Sequence, residues 1–334
     1  MKKIIALLCA VLMLLSLAAC GQKDPAPSDA GTTSEKYVIG ICQLVQHDAL
    51  DAATQGFKDA IIAELGEDAV EFDEQNASND SANCATIVNG FVSSGVDLIL
   101  ANATPALQAA AAATSDIPIL GTAVTEYGVA LDIEGFDGTV GGNISGTSDL
   151  APLDQQAQMI QDLFPDAQNI GILYCSGEDN SVYQSNVVQA ALEDAGLTVK
   201  VYTFADSNDV AAVTKTACDE NDVLYIPTDN TAASCTEAIN NVAQPAGVPI
   251  IAGEEGIAKG CGVATLSISY YDIGYTTGQM AVKILRDGAD ISTMPIEYYP
   301  EPVKKYNQTL ANALNVTIPD GYEIIEGTEV EAES

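Results

Sequence analysis

The chain has no tryptophan, one histidine (His47), one arginine (Arg286) and only 6% aromatic residues. Hydrophobic residues still reach 47%, so a sizeable interior has to be packed mostly from Ala, Val, Ile and Leu. A lone histidine with no CxxC and no Cys/His pairing argues against zinc. The acid-rich "EFDEQNASND" lacks the glycine and terminal glutamate of a calcium loop, and GxGxxG is absent. Nothing assembles an acid, a base and a nucleophile, so no catalytic residue, metal or cofactor is expected. Positive charge is scarce too: 12 Lys and Arg face 47 Asp and Glu, a formal charge of -35. That disfavours nucleic acid and anionic lipid surfaces as partners. The acids are spread along the chain and read as solvated surface.

The only long apolar run is at the N-terminus. Lys2 and Lys3 precede an apolar stretch from Ile4 to Ala19, which ends in Leu17-Ala18-Ala19-Cys20. This is the pattern of a secretory leader closing on a lipobox. Residues 1–19 are expected to be a signal peptide and Cys20 to carry a lipid. Residues 20–36, rich in Pro, Ser, Thr, Gly and Asp, are expected to form a disordered linker. The protein is then tethered to the extracytoplasmic face of a bacterial membrane. Six cysteines remain after Cys9 and Cys20, and export permits disulfides. Cys42, Cys175 and Cys261 sit in apolar strand contexts, however, so buried free thiols are expected.

The length of 334 residues suits two domains. From Tyr37 the pattern alternates. "YVIGICQLV" reads as a strand, and "ALDAATQGFKDAIIAEL" as a helix with Leu50, Ala53, Phe57, Ala60, Ile61 and Leu65 on one stripe. "AVEFDEQ", "VDLILAN" and "IPILGTAV" read as strands separated by helices. The glycine-rich 135–146 reads as hinge and turn material. The pattern then restarts: "DLAPLDQQAQMIQDLFP" is a helix, "NIGILYCS", "LTVKVYTF", "DVLYIPT" and "VPIIAGE" are strands, and "TAASCTEAINNVAQPAG" is one helix. Strands alternating with helices predict an α/β fold of parallel, doubly wound sheets, built from one unit used twice. Ligands of such sheets sit beyond the carboxyl ends of the strands. The polar clusters that end the strands are therefore the candidate site.

Five segments together, "GICQLVQHDALDAATQGF", "ANATPALQAAAAATSDIPILGTAVT", "SGTSDLAPLDQQ", "LYIPTDNTAAS" and "YYDIGYTTGQMAVKIL", resemble the substrate-binding lipoproteins of ABC transporters of the tryptophan/tyrosine-uptake type. The resemblance runs from about Tyr37 to Gly321. It implies a type I periplasmic-binding-protein fold: two doubly wound parallel-sheet lobes, joined by three crossing segments, that close on a small ligand. By resemblance, lobe 1 is 37–146 plus about 270–290, and lobe 2 is 147–268 plus about 291–325. It also implies a monomer that passes an amino acid, aromatic or otherwise apolar, to a permease and its ATPase. Two other readings stand beside it: a ligand-loaded sensor docking on a membrane receptor, and a binder of a sugar or nucleoside.

If the ligand is an amino acid, its ammonium needs a carboxylate in a dry cleft. Asp229 is the first choice. In Asp229-Asn230-Thr231 the amide or the hydroxyl is expected to cap the following helix, leaving the acid free. The ligand carboxylate needs donors. Arg286 ends a helix away from the strand ends, so hydroxyls and backbone N–H groups are expected instead. Thr104 as cap with Pro105 at the first helical position fits this role, with Thr125 and Ser181 as further candidates. Gln43, His47, Ser176, Asn180 and Glu254 complete the strand-end set. Tyr127, Tyr183, Tyr270 and Tyr271 each offer a flat surface for an aromatic side chain, and Tyr271 is the one assigned to the site.

Overall fold

The computed structural model describes residues 36–299 and 301–330. The expected signal peptide, Cys20 and nearly all of the linker lie outside the described residues.

The first half runs β1 (Tyr37–Gln43), α1 (Asp48–Leu65), β2 (Val70–Asn76), α2 (Ser81–Ser94), β3 (Leu98–Asn102), α3 (Thr104–Ala113), β4 (Ile119–Val124), α4 (Tyr127–Ala130) and β5 (Ile144–Ser148). The second runs α5 (Leu153–Leu163), β6 (Asn169–Cys175), α6 (Asp179–Asp194), β7 (Thr198–Phe204), α7 (Val210–Glu220), β8 (Val223–Ile226), α8 (Asn230–Ser234), α9 (Thr236–Ala246), β9 (Ile250–Ala252), α10 (Glu255–Gly260) and β10 (Ala264–Ser267). The chain ends with α11 (Tyr270–Leu285), β11 (Glu297–Tyr298), β12 (Val303–Tyr306), α12 (Gln308–Ala313) and β13 (Glu323–Ile324).

These strands form two sheets, ordered β11-β5-β4-β3-β1-β2 and β13-β12-β10-β9-β8-β6-β7. The pairings are parallel except β10 with β12. Central strands such as β3, β4 and β8 are buried along their whole length, as strands covered by helices on both faces must be. Edge strands β2 and β7 carry the polar residues. Each sheet has an apolar cluster on both faces. This is the α/β, two-sheet architecture that the alternating pattern predicts.

Several elements differ from the sequence reading. The hinge-like glycine stretch ends in a strand, β5, buried throughout although it reads Ile-Ser-Gly-Thr-Ser. Its hydroxyls are satisfied locally: Ser145 Oγ donates to Met294 O at 3.0 Å and Ser148 Oγ to Thr125 O at 2.8 Å. A polar strand therefore hides in the core without orphaned groups. Helix α5 starts at Leu153, after Pro152, and not at Asp149. The segment after Asp229 is two helices, broken at Cys235. Residues 291–325 divide between the sheets, because β11 pairs with β5 (Glu297↔Thr147, Tyr298↔Ser148) while β12 pairs with β10.

Helix α11 belongs to the first half because it packs along α1 and against β4 and β5. The approach is close enough that a Cβ on Gly56 would collide with Tyr271 O, and one on Gly274 with Ala53 O. The six described cysteines carry no bridge; Cys235 is half-buried and the other five are buried. No helix of the described residues is long and apolar enough to cross a membrane.

Ala103, between β3 and α3, has φ 91° and ψ 158° and is fully buried. Its N–H donates to Thr122 O and its carbonyl accepts from Leu107 N, which holds the residue in a region that suits glycine. Ala103→Gly is expected to stabilise the fold by about 1 kcal/mol, the relieved strain exceeding the added unfolded-state entropy. Urea denaturation measures it, and a loss of stability would contradict the strain.

Candidate functional site

The carboxyl ends of β1, β4, β6, β8 and β9 face a gap between the two halves. A narrow cavity of about 10 Å³ lies there, room for little more than one water molecule. His47, Leu50, Ala123 and Thr125 line it from the first half, and Asn180, Thr228, Asp229, Asn230, Ala233 and Glu254 from the second. Asp149 and Tyr270, where the chain crosses between halves, complete the wall. Ala123 enters it through a bulge: the β4–β5 register shifts between Gly121 and Val124, and Ala123 takes φ 51°.

Several residues that line the cavity hold buried polar atoms with no protein partner. Asp149 is 3% exposed. Its Oδ2 accepts from Tyr270 Oη at 2.9 Å, and its Oδ1 is buried without a hydrogen bond. Burial pushes this carboxyl up, against a smaller lowering by the nearby hydroxyls of Thr125 and Tyr270. Asn180 Nδ2 donates to Thr228 O at 2.9 Å, while Asn180 Oδ1 is unpaired. His47 Nδ1 is buried and unpaired as well.

The protonation of His47 follows from the network. Asn230 Nδ2 donates to Glu178 Oε2 at 2.7 Å, so Asn230 Oδ1 is turned to His47 Nε2, 3.3 Å away. Nε2 therefore carries the proton, and neutral His47 presents Nδ1 as an acceptor. Burial pushes the His47 pKa down, opposed by the Asn230 bond and by Glu178, Asp51 and Asp48. Three residues of the cavity wall thus each keep an unpaired acceptor: Asp149 Oδ1, Asn180 Oδ1 and His47 Nδ1. Such a set suits a group with several N–H donors.

Asp229 behaves differently from the expectation. It is the N-cap of α8: Oδ1 accepts from Ala232 N at 2.7 Å, and Oδ2 from Cys175 N at 2.8 Å and Ser181 Oγ at 2.7 Å. Asn230 and Thr231 do not take over the capping, because both are bound to Glu178. The reading that left Asp229 free of capping is overturned. The reason is tertiary: Cys175 N and the Ser181 hydroxyl arrive from β6 and α6, and only the acid can accept from them and from α8 together.

Of the other candidates, His47, Thr125, Asn180, Asn230 and Glu254 line the cavity. Glu254 caps α10 through Gly256 N and Ile257 N, and burial pushes it up to about 7. Ser181 is buried behind Asp229. Thr104 is not the cap of α3, since Ala103 holds that position; Thr104 Oγ1 is buried without a partner. Pro105 lines a separate crevice with Leu44, Asn79 and Glu178. Gln43 is tied inside the first half, donating to Asp51 Oδ1 and accepting from Thr54 Oγ1. Ser176 is exposed, its hydroxyl directed to Phe204 O. Tyr271 is 40% exposed and donates to Asp59 on the outer face of α1. Its neighbour Tyr270 is the tyrosine in the cavity. Asp149 was legible as an acid directly after a short polar strand, but that strand was read as turn. Among the described residues, no cluster of His, Cys, Asp and Glu could hold a metal ion.

Comparison with known proteins shows the family. A curated relative, the tyrosine-binding protein of Clostridioides difficile (strain R20291), is 35% identical over 325 residues, covering 94% of this chain and 93% of that protein. Among solved structures, the ABC domain from Streptococcus pneumonia in complex with L-Trp superposes with a TM-score of 0.82 at 32% identity, over 87% of this chain and all of that one. The ligand-free, open structure of a substrate-binding protein with adhesive properties from Clostridium difficile gives 0.66 at 35% identity, over 86% of this chain and 99% of that one. The fold is the type I periplasmic-binding-protein fold. Residues 38–326 match the family model described as ABC transporter substrate binding protein, and the chain belongs to that family.

Proposed function

We propose that this protein is the extracytoplasmic ligand carrier of an ABC importer for a single amino acid with an aromatic or otherwise apolar side chain. It has no catalytic activity. It is a monomeric lipoprotein, anchored through Cys20 after removal of residues 1–19, and it hands its ligand to a permease coupled to an ATPase. One lobe comprises the first sheet with α11 and β11, the other the second sheet with the remaining C-terminal segment.

The observation that carries the reading is that three residues lining one cavity each hold an unpaired buried acceptor. Each comes from a different part of the chain: His47 from one lobe, Asn180 from the other, Asp149 from the crossing. An ammonium group offers three N–H donors and a charge that matches Asp149. Leu50, Ala123, Ala233 and the ring of Tyr270 supply apolar wall. Thr125, in the cavity wall, is the assigned donor for the carboxylate; Thr104, although its hydroxyl is unpartnered, is not among the lining residues. The ligands of the C. difficile and S. pneumonia relatives, tyrosine and L-Trp, are of this class.

A thermal-shift panel of the L-amino acids, with a hexose and a nucleoside as controls, tests the reading. L-tyrosine or L-tryptophan is expected to give the largest rise in Tm. A ligand at a hundred times its Kd adds about 2.7 kcal/mol, several degrees for a chain of this size. Stabilisation by the hexose or nucleoside, with none by any amino acid, overturns it.

A further inference from the structure

Two part-buried polar contacts cross between the halves and end on neighbouring residues. Asn79 Nδ2 donates to Thr231 Oγ1 at 2.9 Å, and His47 Nε2 meets Asn230 Oδ1 at 3.3 Å. The other crossings, Gln108 with Asp179 and Lys259 with Asp48, are solvent-exposed and contribute little.

Both receiving residues hang from one buried carboxylate. Glu178 is 4% exposed. Its Oε1 accepts from Thr231 N at 2.9 Å and Thr231 Oγ1 at 2.7 Å. Its Oε2 accepts from Asn230 N at 3.0 Å, Asn230 Nδ2 at 2.7 Å and Asn180 Nδ2 at 3.4 Å. The consequence is directional. The Thr231 proton is committed to Glu178, so only the oxygen lone pair faces Asn79. The Asn230 amide is committed likewise, so only its carbonyl faces His47. Without a carboxylate at 178, the amide and the hydroxyl could each turn.

The donor side is equally prepared. Ser78 and Asn79 have φ values of 55° and 62°. Asn79 N donates to Leu44 O at 2.8 Å, which pins the turn beside β1. Two successive left-handed residues are costly, and asparagine is among the few that tolerate the position. The turn points the amide across the gap. Asn79 lies outside the cavity and lines only the separate crevice with Pro105 and Glu178.

We propose that Glu178 is a positioning residue for closure: it presets Thr231 and Asn230 as acceptors for Asn79 and His47, forming a latch that raises ligand affinity although Glu178, Asn79 and Thr231 do not line the cavity. The inference rests on the two-lobe reading above. The latch favours the closed state, and apparent affinity scales with the population of the binding-competent state.

The test uses the full mature chain. Asn79→Ala is expected to weaken L-tyrosine binding roughly fivefold, through faster dissociation at an unchanged association rate. Glu178→Gln, whose amide nitrogen would confront donors, is expected to weaken it further. Thr231→Ser, which keeps the hydroxyl, should bind as wild type does, and Asn79→Ala with Thr231→Val should be non-additive. A merely structural role predicts additive losses and no change in the dissociation rate. Single-molecule distances between the lobes carry the test without ligand: Asn79→Ala should shift the distribution towards the open form. An unchanged distribution, or an unchanged dissociation rate, overturns the latch. Absence of amino-acid binding by the wild type would instead overturn the ligand assignment, while the lobe distances still decide the latch.

Discussion

Asp149→Asn is expected to weaken amino-acid binding by roughly thirtyfold to a thousandfold, the effect of removing one charge from a hydrogen-bonded pair in a dry site. The substitution is nearly isosteric, and its carbonyl can still accept from Tyr270 Oη as Oδ2 does now. What disappears is the charge at Oδ1, which is buried and has no protein donor. Without ligand that charge is a liability, because burial pushes the carboxyl up. The unliganded variant should therefore melt no lower than the wild type, which separates a binding defect from misfolding. Asp229 supplies the contrast. Its oxygens already serve Ala232, Cys175 and Ser181. Asp229→Asn keeps one carbonyl, which can accept from Ala232 N or from Cys175 N but not from both, so it should lower Tm, with loss of affinity following from the distorted wall. Calorimetric titration of both variants with L-tyrosine decides the matter. Binding by Asp149→Asn within threefold of wild type would remove it as the ammonium partner.

The two acids show how far sequence can be read here. The alternating order was legible because strands of parallel sheets, buried on both faces, read as unbroken apolar runs; β3 and β8 are of this kind. Strand β5 was not, because its stability comes from serine and threonine hydroxyls bonded to backbone carbonyls and to α11, not from apolar side chains. With β5 read as turn, the acid that follows it went unnoticed. That the carboxyl ends of strands line the cavity followed from fold class alone. Which side chain at each end faces inward did not, since that depends on donors from other elements. Asp229 is turned by Cys175 and Ser181, and the choice of Tyr270 over Tyr271 is made by the rotational setting of α11. That setting is imposed by the glycine contacts with α1, which no local pattern reveals.

The unliganded protein is expected to be more stable at pH 5 than at pH 8. Burial pushes Glu254 from an ordinary 4.5 up to about 7, against the lowering by Gly256 N–H and Ile257 N–H. Burial, and then the charge of Glu178, push Asp229 from 3.8 up to about 8. A carboxyl with a raised folded-state pKa holds its proton over a range in which the unfolded chain has released it. The folded state then binds more protons, and stability falls as pH rises. Below about pH 4 both states are protonated and the effect is absent; above about pH 8 it is complete. At about 1.4 kcal/mol per pKa unit, Glu254 alone forfeits about 3 kcal/mol across its range, and Asp229 acts in the same direction. For a chain of this length that lowers Tm by roughly 5–10 °C between pH 5 and pH 8. The formal charge of -35 adds self-repulsion with the same sign, so Glu254→Gln is the variant that isolates the buried acid. It should flatten the profile between pH 5 and 7 while leaving the rest of the slope. Ligand supplies a second handle. An ammonium at Asp149 Oδ1 favours the ionised carboxylate, so saturating L-tyrosine should stabilise the protein more at pH 7 than at pH 5. A Tm independent of pH in the unliganded protein would show that water or relaxation already solvates these carboxylates. A ligand-induced rise in Tm that is equal at both pH values would place the ammonium elsewhere than on Asp149.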